Sequence, residues 1–552
     1  MTCALGQGLS RIPARPYSRG RSDNAGANVR LFMRRLAVLG IAGAACAALI
    51  ATTRYDKTSA PGSSFGDNVI AAPATAAAPL PKQKTAFGIN LSTVAYWTAE
   101  RSFMNLAAGG GWSSIMGGWS EMPANRLDPR GTVLSLRPGE QAALALTRPP
   151  RSYDADLAVR CTYKGQGKVA GVATFNLRAS PGRIDFIWRP DVRTAYFKIE
   201  ETNPADPVRA IDCREADADP RALFDPAFVK ELSSYKAVRF MDWSLANLNE
   251  AGDWSRRTPA DAFIQQSRQG VAVEHMVALA NQAGVDPWFT LPWKADAVYV
   301  ASFARYVHEH LDPKRTAYIE VGNEIWNLDF PAARQARDEG VKLRLSADEN
   351  EARMRRYAQR SIEVFTIWEQ VYADRPKGIV RILSGQNAWP GLVEYALNYK
   401  DMVKHIDALS SALYFAQTVL ADPKTPTADL SPIFAAIEAS IPETFKTARQ
   451  FKQMADARGL RYIGYEGGQH ATYNGPDKTL MERLNRDPRM GDAYRRFLTG
   501  WDREFGDLLM LYHSTSPIGT TMHFGMAEHS GQPLSETPKR KAVLDAIGEL
   551  PR

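Results

Sequence analysis

For its length the chain is poor in cysteine and histidine, with four and eight among 552 residues. The histidines show no zinc-ligand spacing, and His308 and His310 lie two apart on an expected helix, facing different directions. There is no calcium loop, no P-loop, no Ser-His-Asp context and no glycine fingerprint after the first expected strand. No metal and no cofactor is therefore expected. Strong net charge is also missing from most of the chain. Residues 1–53 hold seven arginines and one acid, Asp23, which is +6 of the total +8. The basic balance is thus a feature of the N-terminus and gives no support to nucleic-acid binding.

Residues 36–53 carry no charge and follow Arg34 and Arg35. A positive flank before an alanine-rich apolar stretch reads as an export signal or an uncleaved membrane anchor. Residues 54–85 are rich in Pro, Ala, Ser and Thr and read as a linker. The protein is thus expected to be exported, periplasmic or extracellular, and to meet a membrane only through its N-terminal segment. Cys3 and Cys46 belong to the leader. Cys161 and Cys213 remain, either as a disulfide or as two buried thiols.

The rest of the chain has two rhythms. Residues 120–215 contain alternating, β-favouring runs such as Thr132–Leu136, Ala155–Cys161 and Ile184–Trp188, punctuated by Pro-Gly and Asn-Pro. They read as an antiparallel sandwich. Residues 86–119 and 216–552 alternate strand with helix. Strands are expected at 87–91, 237–243, 286–293, 318–324, 379–386, 408–415, 461–467 and 508–514. Helices are expected at 271–283, 296–310, 350–374, 430–456 and 490–505. Eight βα repeats predict an α/β fold, a (β/α)₈ barrel with the β-sandwich inserted after its first strand. An open doubly wound sheet is the alternative.

On this count Glu324 ends strand four, in Tyr318–Asn327, and Glu466 ends strand seven, in Arg461–Gly468. Barrel active sites lie at the carboxyl ends of the strands. Two carboxylates held there in different settings, one protonated and one ionised, suit glycosidic-bond hydrolysis. Glu320 shares the inward parity of Glu324 and is expected to partner a buried basic residue, for which Arg239 is a candidate.

Asn323-Glu324, Glu466, Arg239 on strand two and Tyr414 on strand six together resemble the clan-A glycoside hydrolases, retaining enzymes built on (β/α)₈ barrels. The stretch from Gly270 to Asn327 is similar to a branch of secreted bacterial proteins described as cellulose-binding or glycosidase-like. The resemblance implies Glu324 as acid/base, Glu466 as nucleophile and Asn323 as partner of the sugar hydroxyl beside the reacting carbon. Strict alternation turns Asn323 away from Glu324, so that role requires a bulge or curl at the strand end. Trp326 is expected to raise the pKa of Glu324, and Arg239 or Tyr465 to favour the ionised form of Glu466.

Trp243, Trp293 and Trp326, with Trp97, Trp254 and Trp389, sit at or beyond strand ends and suggest an indole-lined cleft for a polysaccharide or oligosaccharide. Gln386 and His470 are further candidate hydroxyl partners, with Asn387, Gln469 and Asn249. The expected function is an exported retaining glycosidase. A non-catalytic glycan-binding barrel and a transglycosylase are the alternatives.

Overall fold

The computed structural model describes residues 85–248 and 250–548. The leader, the linker up to residue 84, and Asn249 lie outside the described residues. Among the described residues no helix is long and apolar enough to cross a membrane.

Eight parallel strands close into a barrel. In chain order they are Ala86–Asn90, Ala237–Arg239, Asp286–Leu291, Ala317–Val321, Ile379–Gly385, Ala408–Phe415, Arg461–Gln469 and Leu508–Leu511. They pair in that order, and the first closes on the eighth, Phe87 opposite Leu509. Strands buried on both faces need near-continuous apolar runs. Asp286–Leu291 and Leu508–Leu511 meet this, with every residue buried. The open-sheet alternative is excluded by the closure.

The expected helices form within a few residues of their expected limits, at Val273–Ala283, Ala297–His310, Glu349–Val371, Ser431–Asp456 and Pro488–Glu504. Their ends carry local signals. Asp296 caps one by accepting from the Tyr299 amide at 2.7 Å, and Asp348 caps another through Glu351 at 2.8 Å. Gly284 ends Val273–Ala283 in the left-handed conformation, φ 68°.

Two antiparallel sheets, of five and four strands, interrupt the first repeat. They share one core that includes Trp112, Leu144, Val159, Phe186, Trp188 and Phe197. The sheets run from Trp112 to Glu215, so they begin before the expected residue 120. The early hairpin, Trp112–Ile115 with Trp119–Glu121, turns through Gly117 at φ 71°. Its Ser-Ser pair hides the apolar alternation by which such strands are recognised. Cys161 and Cys213 face each other on neighbouring strands, fully buried, and are disulfide-bonded across a sequence separation of 52. Closing a loop of that length is worth about 4 kcal/mol in the chain-entropy account. The double variant Cys161→Ala/Cys213→Ala is expected to lower the melting temperature; an unchanged thermal transition would show that the bond does not constrain the unfolded chain.

The insert is fastened to the barrel by a buried clamp. Arg101, fully buried after the first barrel strand, donates to both Glu215 oxygens at 2.8 and 2.7 Å and to the carbonyls of Phe103 and Met104. Phe263 and Ile264, from the loop after the second strand, complete the core of the insert.

Candidate active site

The site is organised around Arg239, which ends the second strand fully buried inside the barrel. A guanidinium has five N–H donors, and all are engaged. Nε and one Nη2 hydrogen reach Glu320 at 3.1 and 2.7 Å, and the other reaches Asn323 at 2.8 Å. Nη1 donates to Asn90 at 3.0 Å and to Glu466 at 2.7 Å. Glu320 also accepts from Trp288 Nε1, Thr290 and Ser384 at 3.0, 3.2 and 2.7 Å. It is the interior acid expected from its parity, fully buried and saturated with donors. Arg239 therefore does two things: it neutralises Glu320, and it holds Glu466.

Glu466 reaches Arg239 because strand seven is irregular. Register against strand six shifts between Ser411, opposite Gly464, and Ala412, opposite Glu466, which leaves Tyr465 as the extra residue of a bulge. Tyr465 and Glu466 consequently both serve the site. The Tyr414 hydroxyl donates to the second oxygen of Glu466 at 2.6 Å.

Glu324 lies beyond the end of strand four. The chain curls there through Gly322 at φ 65° and Glu324 itself at φ 46°. Glycine suits the positive φ at position 322, where any side chain would be strained. The curl breaks alternation, so Asn323 and Glu324 share one small cavity with Glu466. Glu324 accepts from Tyr465 at 3.1 Å and from Asn327 at 3.0 Å. Asn323 donates to Asn247 at 2.9 Å.

The two carboxyls differ electrostatically. Burial, then the charge of Glu466, pushes Glu324 up to about 8; its own donors are neutral and pull back weakly. Burial raises Glu466 as well, but Arg239 and Tyr414 oppose it. Arg239 and Tyr414 thus favour the ionised form of Glu466, whereas Glu324 has only neutral hydrogen-bond donors. Burial and the same carboxylate hold Tyr414 well above the usual phenol range, so it remains a donor.

Several expected residues lie elsewhere. Trp243 is fully buried, donates to the Ser92 carbonyl at 3.1 Å and stacks on Phe103, because the chain turns sharply after strand two. Trp293 is buried against the outer layer, with the Arg356 guanidinium 5.6 Å from its ring. Trp326 packs half-buried against the core, and neither it nor Gln386 lines the cavity. Trp254 packs on Tyr299, and Trp389 is exposed. Asn387 and Gln469 brace loops through Thr447 and the His523 carbonyl. Tyr465 donates to Glu324, and it is Tyr414 that donates to Glu466. His470 does line the cavity, its ring 4.8 Å from that of Tyr414, and burial lowers its pKa to about 4.

The remaining walls are Met241, Asn247, Phe330, Tyr512 and Phe524. Asn90, with Tyr512 just past strand eight, was accessible to the strand-end rule that finds Glu324. Phe330 and Phe524 come from loops and carry no sequence signal.

No family model and no curated protein sequence matches the chain. Among solved structures it is similar to the GH51 arabinofuranosidase from Xanthomonas axonopodis pv. citri, at TM-score 0.35 and 14% identity over 54% of this chain and 61% of that one. It is similar to a Bacteroidetes-affiliated GH5 cellulase at 0.35 and 12%, over 58% and 83%. It is also similar to the β-glucosidase from Thermotoga maritima at 0.32 and 15%, over 59% and 86%. The chain thus spans less than two thirds of the arabinofuranosidase. These neighbours are glycoside hydrolases, and the barrel fold itself is established by the order and closure of the strands.

Proposed function

We propose that the protein is an exported glycoside hydrolase that cleaves an oligosaccharide or polysaccharide by double displacement. The observation that carries this reading is the pair Glu324 and Glu466 on one cavity, one with neutral donors and one bound to a buried guanidinium. The Glu466 carboxylate attacks the anomeric carbon while Glu324 gives its proton to the departing oxygen, and the glycosidic C–O bond breaks. Glu324, now a carboxylate, takes a proton from water as that water attacks the same carbon and frees Glu466. Asn323 supports the first step by trading its bond to Asn247 for the neighbouring sugar hydroxyl. The disulfide agrees with an oxidising compartment.

One observation favours a second reading, a non-catalytic glycan-binding barrel. The cavity holds only about 30 Å³, against roughly 300–1,000 Å³ for ordinary ligand pockets. A sugar reaches the carboxyls only if side chains such as Tyr512 and Phe524 swing aside. The two readings are separated by trapping. A panel of 2-deoxy-2-fluoroglycosyl fluorides, which form the glycosyl-enzyme and release it slowly, is expected to add one sugar to the peptide carrying Glu466. The Glu466→Gln protein is expected to stay unlabelled. Absence of labelling across the panel, with glycan binding retained, would make the barrel a binding module.

A further inference from the structure

A second, larger cavity lies apart from the one between the two glutamates. It measures about 700 Å³ and lies between the insert and the loops after the first and second barrel strands. The two cavities adjoin along the chain: Met241 lines the small one, and the next residue, Asp242, lines the large one. Asp242 feels the charge of Glu466; burial, then that charge, raises its pKa to about 7. Asp242 lines the larger cavity one residue from the wall of the smaller one.

We propose that this cavity is an extended binding site for a neutral glycan chain, with the inserted sandwich as one of its two walls. The size falls within the usual range for ligand pockets. The barrel wall includes half-buried Trp97, Asp242 and Gln269. An indole face suits the C–H face of a sugar ring, and the amide and carboxyl suit its hydroxyls. The facing wall is the sandwich hairpin and the turn that follows it, with Glu121, Met122 and Ala124. Four acids and three arginines line the cavity, and two of the arginines are occupied, one of them by the lining Glu250. Arg257 binds Glu274 at 2.6 Å, and Arg268 binds Glu250 at 3.3 Å. That balance disfavours a polyanion, so the glycan is neutral rather than built of uronic acids. The site rests on the glycosidase reading for the fate of the chain once bound, and not for the binding itself.

Affinity electrophoresis of the full-length Glu466→Gln protein provides the test. The gels contain hydroxyethyl cellulose, arabinoxylan, arabinan or barley β-glucan, with polygalacturonate as the anionic comparison. Retardation is expected in at least one neutral gel. Trp97→Ala is expected to weaken that binding about tenfold or more. Ala124→Trp, which fills the cavity from the exposed sandwich side, is expected to do the same, while Ala124→Ser binds normally. No retardation in any neutral gel, retardation by polygalacturonate alone, or undiminished binding by both Trp97→Ala and Ala124→Trp would overturn the proposal. Retardation without sugar labelling of Glu466 would instead count against the glycosidase reading and leave this one standing.

Discussion

Glu324→Gln is expected to lower kcat/KM for an unactivated glycoside by about 10²–10⁴-fold, the usual worth of a positioned general acid. The loss should shrink sharply for a dinitrophenyl glycoside, whose leaving group departs without a proton. The pH profile supplies an independent check. Glu324 must be protonated to act, and its pKa is pushed up to about 8, first by burial and then by the charge of Glu466. Wild-type activity is therefore maintained through neutral pH and falls as pH rises through about 8. That alkaline limb should be missing from Glu324→Gln. Equal losses on both substrate classes, with the limb unchanged, would remove Glu324 from proton transfer.

Arg239→Met should be among the most destabilising single changes in the barrel. It strands Glu320 and Glu466 in the interior without their shared cation, which costs about 3–5 kcal/mol when a buried pair is broken from one side. Denaturant midpoints measure this, and Arg239→Met/Glu320→Gln should recover part of the loss, since it removes one of the orphaned charges. Arg239→Lys should not restore the site, because an ammonium offers three donors where five are used. A second effect has a definite sign. Burial raises the pKa of Glu466 and Arg239 opposes it. Without the guanidinium the pKa rises further, and the acidic limb of any residual activity moves to higher pH. An Arg239→Met protein as stable as wild type would mean that the interior carboxyls are neutral.

The places where sequence reading succeeded and failed have identifiable causes. Strand seven could be placed because its apolar run is bounded by a helix and a glycine pair, and Glu466 followed from its position in that run. The bulge could not be seen. Counting by twos puts Tyr465 and Glu466 on opposite faces, and only the register shift against strand six brings both to the site. Asn323 was the converse case, since alternation itself showed that its role required a curl, and Gly322 and Glu324 supply one at positive φ.

Of the expected indoles, Trp97 and Trp243 line the larger cavity, and none lines the one between the glutamates. A tryptophan just beyond a strand looks the same in sequence whether its ring enters the cleft, the sandwich boundary or the helical layer. The tight turn after Arg239 sends Trp243 beneath Phe103, and Trp293 turns toward Arg356 on an outer helix. The rings around the carboxyls include Tyr414 and Tyr512, at strand ends, and Phe330 and Phe524, on loops.

The number and order of the strands, the inserted β layer and the two glutamates at strand ends were determined by the sequence alone. Each depends on periodicity or on position within a repeat, and both are written locally. Tertiary structure decided which carboxyl the guanidinium holds, which aromatics line the cavity beside it and where a larger cavity opens. Those outcomes depend on groups far apart in the chain sharing one buried space, where desolvation and a single guanidinium outweigh any local preference.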